Sequence, residues 1–67
     1  MEIIILYYNQ EIFRKDVSPT IASLYAGSTS IWVTIDGVKV NLSVISADFD
    51  HEESRYILTV EDINENL

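Results

Sequence analysis

Apolar and polar residues alternate most cleanly between Ser30 and Val44. Ile31, Val33 and Ile35 alternate with Trp32 and Thr34, which is the period of a β-strand. Asp36-Gly37 then suits a two-residue type I′ turn, because both central positions need positive φ and glycine adopts it without a Cβ clash. Val38, Val40, Leu42 and Val44 follow, alternating with Lys39, Asn41 and Ser43. The turn sets the register. Ile35 should face Val38, Val33 should face Val40 and Ile31 should face Leu42, with all three apolar pairs on one side of the hairpin. Trp32 is the odd member, because it falls on the polar face with Thr34, Lys39, Asn41 and Ser43. It is either covered by a second layer or the Lys39 stem, or it is an exposed aromatic anchor for a partner.

The flanking segments predict the remaining elements. Glu2 to Tyr8 reads as a first strand that is apolar on both faces, so it is either central in the sheet or buried at an interface. Asn9-Gln10-Glu11 is a turn candidate. Ile12 to Val17 alternates weakly, which suits an edge strand. Ser18-Pro19 opens a helix with a good N-cap and a favoured first residue. Ile21, Leu24 and Tyr25 share one helical face, and Gly27 supplies a stop. A helix this short is not stable alone and has to pack on the sheet. Beyond Val44 the apolar parity moves from even to odd positions (Ile45, Ala47, Phe49), as one extra residue in a β-bulge would cause. Asp48 to Ser54 forms an acidic loop. Arg55 to Val60 forms a last strand with Tyr56, Leu58 and Val60 on one face, and residues 61–67 form an acidic tail, either a single turn or disordered.

The expected fold is mainly β, a β-rich α+β domain spanning residues 1–67. It is a small, bent, five-stranded antiparallel sheet or an open SH3-like barrel, with one short helix between strands 2 and 3. An α+β roll with the helix on one face is the nearest alternative. The helix reads as too short for the crossover of a ubiquitin-like grasp fold.

Composition changes this picture in two ways. Sixty-seven residues without cysteine give one small core with no disulfide or thiolate metal to support it. Yet 48% of the residues are hydrophobic, so either that core is dense or apolar surface is buried against another chain. The net charge is −7. It argues against direct nucleic-acid binding, which needs a basic footprint, and against an anionic membrane surface, while allowing attraction to a basic protein. Ile3 to Tyr8 is too short to span a bilayer and lacks the flanks of a signal peptide. With the absent cysteines, this places the expected location in the cytoplasm.

Candidate chemistry is sparse. His51 is the only histidine and has no nucleophile or second base near it in sequence. Asp48, Asp50, Glu52 and Glu53 could surround a hard cation, but the EF-hand pattern fails, with Glu53 at the glycine position and Thr59 at the final acidic position. Gly27 and Gly37 are isolated and form no phosphate-binding loop. No catalytic residue, metal ligand or cofactor is assigned, and the expected activity is non-enzymatic.

Charge asymmetry is the most informative remaining feature. Seven of the eleven acids (Asp48, Asp50, Glu52, Glu53, Glu61, Asp62 and Glu65) lie in the last twenty residues, opposed there only by Arg55. They serve solubility or, if ordered, imitate a phosphate backbone, a device found among small viral and mobile-element proteins. The sharpest expectation is a protein-interaction module, an inhibitor or accessory factor that docks on a basic, nucleic-acid-handling protein. Tyr7, Tyr8, Trp32 and Phe49 are its candidate anchors, and Asp50, Glu52, Glu53, Glu61 and Asp62 its candidate rim. The alternative is a homo-oligomer that self-assembles through the first strand and binds a small ligand between subunits.

Overall fold

A computed structural model describes residues 1–63. The elements are β1 (Glu2–Tyr7), β2 (Gln10–Asp16), α1 (Pro19–Gly27), β3 (Ser30–Ile35), β4 (Val38–Asp50) and β5 (Arg55–Asp62). The five strands form one sheet in the order β2-β1-β5-β4-β3, curled into a half-barrel. The mainly β fold with a single helix between strands 2 and 3 is therefore observed. One pairing departs from the all-antiparallel expectation, because β1 and β5 run parallel, with Ile3 opposite Tyr56 and Ile5 opposite Leu58.

The β3–β4 hairpin has the register that the alternation predicts, including Ile35–Val38, Val33–Val40 and Ile31–Leu42. Asp36 and Gly37 both have positive φ, as a type I′ turn requires. The first hairpin turns earlier than expected. Its central residues are Tyr8 and Asn9, both at positive φ, so β2 begins at Gln10. The parity change in β4 is a bulge. Val44 faces Val60 and Ser46 faces Thr59, leaving Ile45 unpaired between them. A second bulge lies in β2, where Ile5 faces Phe13 and Leu6 faces Glu11. Both raise local twist and help the sheet curl.

The core lies on the concave face. Ile3, Ile5, Leu42, Leu58 and Val60 are fully enclosed there, joined by Ala22, Ile31 and Val33. Both faces of β1 are covered by its own chain, since Ile4 on the convex face is also buried. The chain crosses from β2 at one edge of the sheet to β3 at the other through α1. Nine residues suffice for this crossover because the curl narrows the gap to be bridged. Ser18 caps the helix by accepting from the Ile21 N–H, and Pro19 stands in the first turn. The helix does not dock through the expected stripe. Ala22 is its buried residue, whereas Ile21 and Leu24 are exposed.

The acidic loop is also shorter than expected. Asp48, Phe49 and Asp50 belong to β4, and the connection to β5 is residues 51–54. At the other end, β5 extends through Glu61 and Asp62 into what reads in the sequence as tail. Glu65 lies outside the described residues. No helix among them is long and apolar enough to cross a membrane.

Candidate functional site

The candidate residues fall in three places. Phe49, Asp50, Glu52 and Glu53 sit at the tip of the β4–β5 hairpin. Tyr7, Tyr8 and Asp62 sit at the opposite end of the sheet, with Glu61 beside them on the other face. The length of β5 separates these two sites by about 23 Å at ~3.3 Å per residue. The described acids therefore do not form one patch. Trp32 stands apart from both, on the edge strand β3.

The hairpin tip is held by a single carboxylate. Asp50 Oδ1 accepts from the backbone N–H groups of Glu52 and Glu53, at 3.2 and 3.3 Å. Asp50 Oδ2 accepts from Arg55 Nε at 3.2 Å. This arrangement fixes the turn and leaves Glu52 and Glu53 exposed. Phe49 rests on Tyr56, with ring centres 5.1 Å apart, and remains 47% exposed. Asp48 is exposed on the adjoining strand, on the opposite face of the sheet from Phe49. The His51 ring lies 6.5 Å from Phe49. No group of three or more His, Asp or Glu side chains among the described residues is placed to hold a metal ion.

At the far end Tyr7 donates to Asp62 Oδ1 at 2.7 Å, and Tyr8 makes a longer bond to Oδ2 at 3.4 Å. The two rings pack at 4.5 Å. Asp62 is thus tied to both phenols and is less available as a rim charge.

An ion-pair ladder that sequence reasoning missed crosses the convex face. Asp50 pairs with Arg55, Arg55 with Glu2, Glu2 with Arg14, and Arg14 with Glu11, spanning four strands. Only the sheet order brings these residues together, so no local spacing announces them. The Arg14 guanidinium, bonded to Glu11, holds that carboxyl below its ordinary value. A depressed carboxyl stabilises the fold above its unfolded pKa of about 4.3, and this contribution is lost as pH falls through the lower folded value. Glu11→Gln should therefore lower the thermal midpoint slightly at pH 7, and the gap to the parent should close as the pH falls below the ordinary carboxylate range. A gap that persists in acid would show that the ladder does not act through charge.

The third place is an apolar margin along β3. Trp32 is 63% exposed, so no second layer covers it. With Phe13, Tyr25, Val33, Thr34 and the floor residue Ile5 it walls a cleft of about 350 Å³ between the two edge strands. Phe13 and Tyr25 stack within it at 6.3 Å. A shallower groove of about 230 Å³ adjoins it, lined by Ile21, Leu24, Tyr25, Ser28 and Ile31. The two share Tyr25. No protein-family model, curated protein or solved structure matches this chain.

Proposed function

We propose that the chain is a non-enzymatic interaction module. It acts as a cytoplasmic inhibitor or accessory factor, docking on a basic surface of a larger, nucleic-acid-handling protein. The β4–β5 hairpin tip is its docking element, with Phe49 as the anchor and Glu52 and Glu53 as the charged surround. One observation carries this reading. Asp50 bonds two backbone amides and Arg55 at once, so the tip is ordered before a partner arrives. Preorganisation reduces the entropy lost on binding, and carboxylates around a half-exposed aromatic ring complement a basic surface. Tyr7, Tyr8 and Asp62 are set aside, since they bond one another far from the tip.

The test is capture of partners from lysate at low and high salt, followed by the tip variants. Charge-steered binding should weaken steeply above about 0.1 M salt, where the screening length is near 10 Å. The double variant Glu52→Lys, Glu53→Lys should abolish it, and Phe49→Ala should weaken it by about tenfold or more. A complex that resists salt and both variants would sink the proposal.

The seam cleft favours a second reading. Its volume falls within the ~300–1,000 Å³ range of small-ligand sites, and its walls are aromatic and aliphatic. An apolar, planar small molecule would suit it.

A further inference from the structure

The two edges of the sheet are not equivalent. β2 carries Glu11, Arg14, Lys15 and Asp16, and charges of this kind discourage edge-to-edge pairing. The lower half of β4, beyond the end of β3, carries Asp48 and Asp50. β3 is S-I-W-V-T-I, with no charge, no proline and no glycine. Six uncharged residues on an open edge, five of them of high β-propensity, are the usual signature of a strand that pairs with another chain.

The turn determines which backbone groups this edge offers. Ile35 and Val38 flank a two-residue turn and form its hydrogen-bonded pair. Hydrogen-bonded and non-bonded pairs alternate along an antiparallel ladder. Ile31 and Val33 therefore point their N–H and C=O groups at β4, consistent with the Val44 N–H bond to the Thr29 carbonyl at 2.9 Å. Ser30, Trp32 and Thr34 direct theirs away from the sheet.

We infer that the chain forms a symmetric dimer in which β3 pairs antiparallel with β3 of a second copy, centred on Trp32. This surface is separate from the hairpin tip. The strand is its own complement in that register. Trp32 faces Trp32, Ser30 faces Thr34 and Ile31 faces Val33, and all three outward-pointing residues of each strand exchange bonds, about six in total. Charge selects the same arrangement. A chain of net charge −7 repels its copies over most of its surface. In this register Asp36, the acid nearest β3, falls opposite Ser28, so the two Asp36 carboxylates lie at opposite ends of the contact. Ile21 and Leu24 border the strand and extend the apolar contact on each side.

Sedimentation and light scattering over a concentration series test this directly. The mass should rise from 7.7 kDa towards twice that value, and more readily at higher salt, which screens the repulsion between two acidic copies. Emission from Trp32, the only tryptophan, should shift to the blue as the dimer forms. Hydrogen exchange should show the amides of Ser30, Trp32 and Thr34 gaining protection on association, while those of Ile31, Val33 and Ile35 are protected throughout. Thr34→Pro removes an outward N–H without breaking the β3–β4 ladder, and should raise the dimer Kd about thirtyfold or more. Thr34→Lys, which keeps the N–H and adds a guarding charge, should do the same. Three outcomes would overturn the dimer: a monomer at every concentration, a dimer indifferent to both variants, or protection that appears elsewhere than on alternate β3 residues. Loss of partner capture in the tip variants with an unchanged mass would bear on the proposed function alone.

Discussion

Leu58→Ala should cost about 2–5 kcal/mol, the range for a buried leucine that leaves a cavity. At roughly 0.05–0.15 kcal/mol per residue a chain of 67 residues has only ~3–10 kcal/mol of stability. One truncation would therefore remove a large share of it and leave a measurable fraction unfolded at room temperature. Leu58 is the residue for this test because it is fully enclosed at the centre of the sheet. It lies between Ile5 on β1 and Ala47 on β4, and joins the parallel pair to the antiparallel meander. Its neighbours are held by the β1–β2 and β4–β5 hairpins, which limits collapse into the vacated space. Urea titration should give a midpoint shift of that size at unchanged slope. Val38→Ala, at a position 62% exposed, should stay within about 0.5 kcal/mol. A Leu58→Ala cost below about 1 kcal/mol would mean that the two halves of the sheet do not share one core. Protein concentration has to be held constant, because dimer formation adds stability by mass action.

The parts of the fold visible in the sequence are those encoded locally. Asp36-Gly37 declares its turn because only a few residues accept positive φ, and the turn then dictates every pair up to Leu42. The bulge at Ile45 is visible because one extra residue inverts the apolar parity after it. The turn at Tyr8-Asn9 is harder to see, since tyrosine rarely takes positive φ and the apolar run from Ile3 continues through Tyr8. The β1–β5 pairing leaves no local trace. Its partners lie more than fifty residues apart, and the only hint is that β1 is apolar on both faces, as a central strand must be. The functional surfaces divide in the same way. Phe49 and the acids around it are visible as composition, but the role of Asp50 depends on a backbone turn, and the ladder from Asp50 to Glu11 depends on strand order. Trp32 is legible as an exception on a polar face. What makes it informative is that β3 ends the sheet.

Ala22→Leu should destabilise the chain by about 1–3 kcal/mol, the range for overpacking a filled site. Leu24→Ser should remain within about 0.5 kcal/mol when measured on the monomer. The i, i+3, i+4 pattern of Ile21, Leu24 and Tyr25 suggests the reverse, because large apolar residues normally mark the buried stripe of a helix. In this helix a second stripe with the same spacing, Ala22, Tyr25 and Ala26, lies one residue along. Ala22 is fully enclosed, while Leu24 is 62% exposed. Geometry decides between the two. α1 contacts β4 and β5 across the hollow of a tightly curled sheet that Leu42, Leu58 and Val60 already fill. Only small side chains allow the helix backbone to approach that surface, and Tyr25 reaches over the edge to stack on Phe13. A leucine at position 22 would lift the helix, separate Tyr25 from Phe13 and open the seam cleft. Near-ultraviolet circular dichroism should register that separation as a loss of aromatic signal. A larger cost for Leu24→Ser than for Ala22→Leu would mean that the helix is rotated by about 100° from this placement, with Ile21 and Leu24 inside. The apolar margin beside β3 would then disappear, and with it the flanking contact that the proposed dimer uses. The pair of helix variants therefore tests the packing of the domain and the surface available to a second copy.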